Sequence, residues 1–281
     1  MISFQLRDRR IETSLPAFIM GILNVTPDSF WEKSRAVSVE GGVARALEMV
    51  AEGADLIDIG GESTRPGAAY VGIDEELSRV IPVIRGIRQK SRVPISVDTR
   101  KASVMEAALE AGADICNDVS ALSDDPGMAS LAARTGIPVI LMHKQGIPES
   151  MQTDPNYSDT VREVAEYLFA RAKEAELAGI ARNKIILDPG IGFGKRYSDN
   201  CALIAGLPEL AAGGYPVLMA LSRKSCIGQM TGRDTPDRLS GTIAANLIAV
   251  QNGAFMVRVH DVAATRDMLS VLQEIRTRGI H

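Results

Sequence analysis

The sequence predicts an α/β protein, a (β/α)8 TIM barrel with a short N-terminal hairpin. Eight short, nearly continuous apolar runs alternate with longer helical stretches from end to end, and glycine recurs where a helix would give way to a strand. Runs without polar alternation are typical of strands buried on both faces, and eight βα units are the number of a barrel. A doubly wound open sheet is the alternative, but its G-x-G-x-x-G fingerprint is absent after the first run.

Each apolar run is predicted to be one barrel strand. The runs are "FIMGILN" (18–24), "DLIDIGG" (55–61), "PISVD" (94–98), "DICND" (114–118), "PVILMH" (138–143), "KIILD" (184–188), "PVLMALS" (216–222) and "FMVRVH" (255–260). We see no Pro/Gly/Ser linker that would divide the chain. We therefore expect a single domain over 1–281, with the hairpin at 1–17 and the barrel at 18–281.

Between the runs the hydrophobic period changes to that of helices. "VARALEMVAEG" (43–53) places Val43, Leu47 and Val50 on one helical face, and the stretches 104–112 and 241–253 have the same pattern. Glycine accepts the left-handed backbone that terminates helices, so a phased series of glycines predicts the helix ends. That series consists of Gly53, Gly112, Gly136, Gly179, Gly214 and Gly253.

Composition excludes several classes of function. The net charge is −4, from 31 basic and 35 acidic residues spread along the chain, which does not predict binding to nucleic acid or to a membrane surface. The N-terminus, "MISFQLRDRRIE", is charged where a signal peptide is apolar, and no run approaches the ~18 apolar residues of a membrane span. Three widely separated cysteines predict neither a disulfide framework nor a zinc site. We expect a cytoplasmic protein.

Polar side chains stand at the end of every predicted strand. The carboxyl ends of barrel strands form the rim of one pocket, so these side chains should converge there. Donors and cations among them suit an anion, whereas carboxylates and an amide suit a flat heterocycle with several N–H groups. The donors and cations are Thr64, Arg65, Lys224, Arg258 and His260, and the second group is Asp98, Asn117 and Asp188.

A metal site is predicted at the first strand end. The three histidines form no i, i+4 pair and no cysteine accompanies them, which argues against zinc. Asn24 offers an oxygen ligand, as does Asp98 in principle, and one or two oxygens with substrate phosphate and water are how Mg2+ is usually bound. We interpret His143 as a hydrogen-bonded barrel histidine instead of a ligand.

Seven motifs, in order and at similar spacing, resemble those of the dihydropteroate synthase family of pterin-binding enzymes. They are "MGILNVTPDSF", "IDIGGESTRPGA", "SVDT", "LMH", "LDPGIGFGK", "SRKS" and "RVHDV", and the resemblance extends from about residue 18 to 265. It implies a homodimeric (β/α)8 enzyme of folate biosynthesis. Such an enzyme joins 6-hydroxymethyl-7,8-dihydropterin diphosphate to 4-aminobenzoate and releases diphosphate.

The resemblance also implies roles for individual residues. The dihydropterin would be held by Asp98, Asn117, Asp188 and Lys224, lined by Met142 and Phe193, and stacked on by Arg258. The diphosphate would be held by Asn24 with Mg2+ and by Thr64, Arg258 and His260, to which the cluster of donors adds Arg65. The aminobenzoate site would be shaped by Phe30, Pro66 and Ser222. Catalytic roles fall to Asp98, Lys224 and Arg258.

The chain departs from this family in its first loop. Family members commonly continue after Phe30 with Ser-Asp-Gly-Gly, whereas this chain has Trp31–Ser34, "WEKS". Two alternatives therefore stay open. One is a related barrel that transfers a methyl group from methyltetrahydrofolate to a corrinoid protein, and the other is a catalytically silent pterin-binding protein. Thr64-Arg65, Ser222–Lys224 and Arg258-x-His260 argue against the first, because it needs no diphosphate site.

Overall fold

The structure, a computed structural model, describes residues 1–25, 39–63, 70–146 and 151–279. Several residues to which the sequence assigns roles lie outside these ranges. They are Phe30, Thr64, Arg65 and Pro66, and the atypical segment Trp31–Ser34 is outside the described ranges as well. Their predicted roles therefore remain predictions, and the site below is built from the other residues.

Eight parallel strands form the barrel. They are β3 (Phe18–Asn24), β4 (Leu56–Gly60), β5 (Ile95–Asp98), β6 (Ile115–Asp118), β7 (Val139–Met142), β8 (Ile185–Asp188), β9 (Leu218–Met219) and β10 (Met256–Val259). Neighbours are hydrogen-bonded in the order β8-β7-β6-β5-β4-β3-β10-β9. A parallel bridge between Leu187 and Val217 joins the two ends of that order. The predicted fold is confirmed.

The seventh barrel strand, β9, is shorter than its apolar run predicts. The run covers 216–222, but only Leu218–Met219 are in the strand. Proline at 216 has no N–H to give to a ladder and contributes only its carbonyl, which accepts from the Leu187 amide at 2.9 Å. After Leu221 the chain turns, and Arg223 takes a left-handed backbone with φ 57°. Apolar character therefore extends beyond the region that can pair.

In the described ranges, ten α-helices surround the barrel. Their bounds are α1 (Val39–Glu52), α2 (Ile73–Arg88), α3 (Ala102–Ala111), α4 (Pro126–Thr135), α5 (Thr160–Leu177), α6 (Tyr197–Ala205), α7 (Leu207–Ala211), α8 (Ser225–Thr231), α9 (Leu239–Gln251) and α10 (Val262–Arg278). All six glycines predicted to stand at helix ends have positive φ, between 66° and 110°. Within the described ranges, no helix combines the length and the apolar character needed to cross a membrane.

The N-terminal hairpin closes one end of the barrel. Strands β1 (Ile2–Gln5) and β2 (Arg10–Thr13) pair antiparallel, as the sequence predicts. Phe4 and Leu6 are buried in the same apolar cluster as the first residue of β3, Phe18. The Phe255 ring lies 6.0 Å from the ring of Phe4 and 5.2 Å from that of Phe18, between centroids. The hairpin therefore shields the amino-terminal ends of the strands.

Alternation along each strand separates two apolar cores. Side chains at every second position point to the same face of a strand. Phe18, Leu56, Ile115, Ile140 and Met256 belong to the inner cluster with the hairpin. The next residues along those strands, Ile19, Ile57, Cys116, Leu141 and Val257, belong to the outer cluster beneath the helices. Both faces are apolar, which is why the runs show no alternation in the sequence.

We predict that Phe4→Ala lowers the free energy of unfolding by about 3 kcal/mol, because it leaves a cavity at the sealed end of the barrel. Urea denaturation would measure the change. Ser3→Ala, on the other face of β1, is the matched control and should change stability by less than about 0.5 kcal/mol. Equal effects of the two substitutions would contradict the role of the hairpin as a core element.

Candidate active site

The inner face of the barrel changes from apolar to polar toward the carboxyl ends of the strands. Because inward-pointing positions recur every two residues, a polar residue two places after an inner apolar one enters the barrel above it. Four such pairs occur: Leu56 and Asp58, Ile115 and Asn117, Ile186 and Asp188, and Met256 and Arg258. The geometry of the fold therefore brings residues from four separate strands to one pocket.

A guanidinium and two carboxylates form the centre of this pocket. Arg258 Nε donates to Asp58 Oδ2 at 2.6 Å, and Nη2 donates to Asp98 Oδ2 at 3.1 Å. Asn117 Nδ2 donates to the same Asp58 oxygen at 3.1 Å. Asp58 is fully buried, and its other oxygen, Oδ1, has no hydrogen-bond partner among the described residues. Three strands are thus connected through one carboxylate.

Burial has a strong effect on the Asp98 carboxyl. Loss of hydration raises the pKa of Asp98 to about 7, although the Arg258 guanidinium works in the opposite direction. The nearby carboxylates Asp58, Glu76 and Asp118 raise this pKa further. A carboxyl that changes its charge near neutral pH at the rim of a barrel pocket is a candidate functional group.

A lysine and a second carboxylate form the adjoining side of the pocket. Burial raises the pKa of Asp188, whose Oδ1 accepts from the Gly190 amide at 2.7 Å. Burial also lowers the pKa of Lys224 to about 8, against the effect of Asp188. Lys224 Nζ donates to the Ile191 carbonyl and lies 4.8 Å from the centroid of the Phe193 ring. The loop after β8 therefore supplies a carbonyl and an aromatic ring that contact Lys224, which comes from the turn after β9.

The loop after β8 lies close against the end of β7. A Cβ added at Gly190, whose φ is 66°, would lie 1.9 Å from the His143 carbonyl oxygen and 3.2 Å from Met142 Cγ. Only glycine fits such an approach. The predicted pocket residue Met142 is buried beside this loop.

A buried lysine, Lys195, connects the loop after β8 to the end of β7. Lys195 Nζ lies 2.9 Å from His143 Nδ1 and donates to the Phe193 carbonyl at 3.0 Å. Burial lowers the pKa of Lys195 to about 7. Burial and the Lys195 charge lower the pKa of His143 to about 3, so the imidazole is neutral and Nδ1 accepts. His143 is thus a hydrogen-bonded barrel histidine, as its sequence context predicts.

Ser222 and His260 form a third part of the rim. Ser222 Oγ lies 3.0 Å from His260 Nδ1 and accepts from the His260 amide at 3.1 Å. Between Ser222 and Lys224, Arg223 binds Asp261 through two contacts of 2.9 and 2.5 Å. This bidentate pair helps to fix the left-handed turn from which Ser222 and Lys224 project.

Asn24 ends β3 and Asp98 ends β5. Gly60, at the end of the intervening strand β4, is in register with both. A Cβ added at Gly60 would lie 3.8 Å from both Asn24 Oδ1 and Asp98 Oδ2. The amide oxygen and the carboxylate oxygen therefore face the same side of β4. Over the part of the chain that the structure describes, no group of three or more His, Cys, Asp or Glu side chains is arranged to hold a metal ion. An ion here would need ligands from its substrate or from water.

The structure brings Asp98, Asn117, Asp188, Lys224 and Arg258 together, and their arrangement differs in one respect from the sorting of these residues by charge. Residue chemistry alone sorts the cations and the acidic residues into two binding regions, although the family resemblance implies that Lys224 and Arg258 lie with the carboxylates. In the structure Arg258 and Lys224 lie among the carboxylates Asp58, Asp98 and Asp188. The spacing of residues along a chain does not show which strand ends become neighbours in the barrel.

Asp58 is a site residue that the sequence reasoning missed. Its signal was present, because it is a charged residue in the middle of the apolar run "DLIDIGG". A carboxylate there has to enter the barrel interior with a partner. Ser96, opposite Asp58 in the register of β4 and β5, is also fully buried. Both residues lie inside strands, whereas the sequence prediction considered only polar residues at the strand ends.

Fold and site define a (β/α)8 enzyme whose pocket combines buried carboxylates, an amide and cations at the carboxyl ends of the strands. Comparison with known proteins agrees. The family model of the pterin-binding enzymes matches residues 20–260. Dihydropteroate synthase of Escherichia coli strain K12 is 48% identical over 255 residues, which cover 91% of this chain and 90% of that protein.

Solved structures give the same result. Xanthomonas albilineans dihydropteroate synthase with 4-aminobenzoic acid has a TM-score of 0.91 at 48% identity, covering 98% of each chain. A second structure of that enzyme, in complex with 7,8-dihydropteroate, has a TM-score of 0.88 at 45% identity, covering 98% of this chain and 99% of that chain. The chain therefore belongs to the dihydropteroate synthases, within the pterin-binding enzyme family, and the resemblance predicted from its motifs is confirmed.

We predict that the free energy of unfolding rises with pH between about 7 and 8.5. Folded Lys195 loses its proton near pH 7, whereas the unfolded lysine keeps it up to its ordinary pKa of 10.5, so unfolding takes up a proton. The slope from this residue approaches about 1.4 kcal/mol per pH unit. Urea denaturation at several pH values should show a smaller slope for Lys195→Met. Lys90→Met, at an exposed position, is the control, and an unchanged slope in Lys195→Met would contradict the assignment.

Proposed function

We propose that the pocket of this transferase binds 6-hydroxymethyl-7,8-dihydropterin diphosphate and 4-aminobenzoate and forms the C–N bond of 7,8-dihydropteroate with release of diphosphate. The observation that carries this assignment of the site is the Asp58–Arg258–Asp98 cluster in the barrel interior, with Asn117 and Asp188 beside it. The reaction itself is that of the family. We propose which residues of this chain bind the pterin, the diphosphate, the metal ion and the aminobenzoate.

The pterin ring suits the carboxylate side of the pocket. A flat heterocycle with several N–H groups needs acceptors at fixed positions, and Asp98, Asn117 and Asp188 project from three strand ends into one space. Lys224 would donate to acceptor atoms of the ring. Phe193 and the buried Met142 would supply apolar contacts.

Arg258 would then have two tasks. Asp58 and Asp98 hold its guanidinium in a fixed plane. A planar, delocalised cation can stack on a ring and at the same time face a departing anion. The resemblance implies both contacts for this residue. The support from the structure is the restraint on the guanidinium by two carboxylates.

The chemistry follows from where charge develops. When the bond between the pterin methylene carbon and the diphosphate oxygen breaks, a cation is left on the pterin and negative charge leaves with the diphosphate. Fixed carboxylates near the ring stabilise the first, and Arg258, His260 and Thr64 would stabilise the second. The aminobenzoate nitrogen then needs little activation. Positioning would therefore contribute more than a nucleophile of the protein.

Mg2+ fits the donor atoms that the structure offers. Asn24 Oδ1 would be the protein ligand, with Asp98 Oδ2 on the same side of Gly60. Bound there with substrate phosphate and water, the ion would neutralise charge on the departing diphosphate. Asn24 would orient the ion relative to the pterin, and the protein would contribute few other ligands.

The aminobenzoate would lie toward Ser222. Its hydroxyl is held by His260, and the turn that carries it is fixed by Arg223 and Asp261. Phe30 and Pro66, which the resemblance also implies for this region, lie outside the described residues. The 4-aminobenzoic acid bound in the Xanthomonas albilineans relative supports a site of this kind in the family.

One assay tests the function. The purified protein is mixed with the pterin diphosphate, 4-aminobenzoate and Mg2+, and diphosphate release is measured. We expect release that depends on aminobenzoate and is lost when the metal is chelated. Methyl transfer from methyltetrahydrofolate to a corrinoid protein, or pterin binding without release, would instead support the two alternatives. Similarity to dihydropteroate synthases over 91% of the chain favours neither.

We predict that Asp98→Asn reduces turnover by at least about a hundredfold, because a neutral amide cannot stabilise the pterin cation. Diphosphate binding, measured by calorimetry, should change by less than about threefold, since the anion is held by other residues. Wild-type kcat/KM should also fall as the pH falls through about 7, where Asp98 gains its proton. Near-normal turnover of the variant would exclude this role.

We further propose that the protein forms a homodimer through the outer surface of α6, α8, α9 and α10. A helix that also exposes large apolar side chains is suited to a second contact surface, and α9 exposes Leu239 and Ile248 in addition to its buried face. The exposed large apolar side chains of these four neighbouring helices are Tyr197, Met230, Leu239, Ile248, Val271 and Ile275. Exposed apolar side chains on neighbouring helices are typical of interfaces between subunits, and we call this set the apolar patch.

We predict that Ile248→Asp converts the dimer into monomers, because it places a charge in the centre of the interface. Light scattering coupled to gel filtration would measure the mass. Leu177→Asp is the control, since Leu177 is 77% exposed at the end of α5, which is not one of the four helices of the proposed interface. A wild-type protein that is monomeric at micromolar concentration would rule out the proposed interface.

A further inference from the structure

A chain of ion pairs connects four consecutive loops at the carboxyl ends of the strands. Cations and carboxylates alternate along it without interruption. Its members, in order, are Glu76, Lys101, Glu62, Arg100, Asp124 and Lys144, and the contacts between neighbours range from 2.6 to 3.1 Å. They come from the loops after β4, β5, β6 and β7 and from the first turn of α2. We call this chain the rim network.

The most deeply buried part of the rim network is Lys101 with its two carboxylates. Lys101 Nζ donates to Glu76 Oε2 at 2.6 Å and to Glu62 Oε2 at 2.7 Å. The side chains of these three residues are 7%, 0% and 10% exposed. Burial disfavours the ammonium ion, but the hydrogen bonds that it donates to Glu62 and Glu76 keep the pKa of Lys101 above its ordinary value. The Lys101 ammonium group therefore keeps its charge at a position that solvent screens little.

Glu62 connects two parts of the chain that are nine residues apart. Its Oε1 accepts from the Val71 amide at 3.2 Å and from Arg100 Nη2 at 3.0 Å. Burial would raise the pKa of Glu62, yet the bonds from Lys101 and Arg100 lower it below the ordinary range. The carboxylate thus joins the beginning and the end of the connection between β4 and α2. Residues 64–66, to which the proposed function gives roles, lie between these two points in sequence.

Packing also fixes the backbone at Gly61, just before Glu62. A Cβ added at Gly61 would lie 2.7 Å from Val80 Cγ2 and 3.0 Å from Glu76 Cγ, so the backbone before Glu62 presses against α2. Arg79 Nη1 donates to the Gly61 carbonyl at 2.7 Å. The Tyr70 ring covers the network, with Lys101 Nζ at 4.7 Å from its centroid. Several independent contacts therefore hold the residues at the two ends of the connection between β4 and α2, which are Gly61 and Glu62 at one end and Tyr70 and Val71 at the other.

We propose that Lys101 and Glu76 are positioning residues for the half of the reaction that involves diphosphate and aminobenzoate. They act through Glu62, which accepts a hydrogen bond from the Val71 amide, and so joins two described positions on either side of 64–69. Thr64, Arg65 and Pro66, to which the proposed function gives roles, lie between these positions in sequence. The inference rests on the proposed function. In this proposal the rim network does not contact the pterin ring, which is bound by Asp98, Asn117 and Asp188.

The test separates positioning from stability. Lys101→Met alone leaves the Glu76 carboxylate buried without a partner and should lower Tm. The double variant Lys101→Met/Glu76→Leu removes both charges and should recover Tm, because replacing a buried pair by apolar residues is close to neutral. Glu62 stays without its lysine in the double variant. We therefore expect KM for the pterin diphosphate and for aminobenzoate to stay raised about tenfold, as misplaced binding groups produce.

Two further measurements make the result specific. The Kd for 6-hydroxymethyl-7,8-dihydropterin, which has no diphosphate, should be unchanged in the double variant. The Val71 amide should exchange its hydrogen faster, because its acceptor Glu62 is less restrained. Lys144→Met removes the same charge from the other end of the rim network and is the matched control. It should leave both KM values unchanged.

The outcomes distinguish this inference from the proposed function. Wild-type turnover together with wild-type KM values in the double variant would overturn the inference alone, as would an equal rise in the Kd for the free pterin. A wild-type protein that releases no diphosphate in the presence of aminobenzoate would overturn the proposed function, and with it this inference. Raised KM values, unchanged pterin binding and faster exchange at Val71 would support it.

Discussion

The structure of the site depends on one buried interaction, the Arg258 guanidinium between Asp58 and Asp98. Arg258 enters the barrel above a closed apolar floor, where an unpaired charge would be strongly unfavourable. Two carboxylates from adjacent strands satisfy it, and Asn117 adds a bond to Asp58. Because breaking such a pair leaves a buried charge, the strands β4, β5, β6 and β10 cannot shift independently at this level. The side chains that these four strands contribute to the pocket are therefore held in fixed relative positions.

The apolar half of the barrel makes this polar half possible. The hairpin residues Phe4 and Leu6 complete an inner core that excludes water from the amino-terminal ends of the strands. Above that core, burial is strong enough to raise the pKa of Asp98 to about 7 and to lower that of Lys224 to about 8. Groups that change charge near neutral pH are suited to a reaction in which charge develops on both halves of a substrate. The fold therefore adjusts its charged groups through dehydration.

Much of the fold was predictable from sequence, because each strand is a short apolar run and each of six helix ends carries a glycine. These are local signals, and the structure confirms both. The exception is β9, where Pro216 and the turn at Arg223 limit pairing within an apolar run. The site was predictable in part. Asp98, Asn117, Asp188 and Arg258 lie at or near the ends of strands, where the sequence predicts pocket residues, and Lys224 lies in the turn after β9, whereas Asp58 is inside a strand and was missed.

The sequence by itself determined the eight βα units and the polar residues at the strand ends, because periodicity and chain order are properties of neighbouring residues. The tertiary structure alone decided which of those residues meet. Arg258 bonds to Asp58 across 200 positions of sequence, and Lys101 bonds to Glu76 and Glu62 across 25 and 39. Partners of this kind are chosen by closure of the barrel and by the energetic requirement that every buried charge be paired. No local pattern encodes that choice.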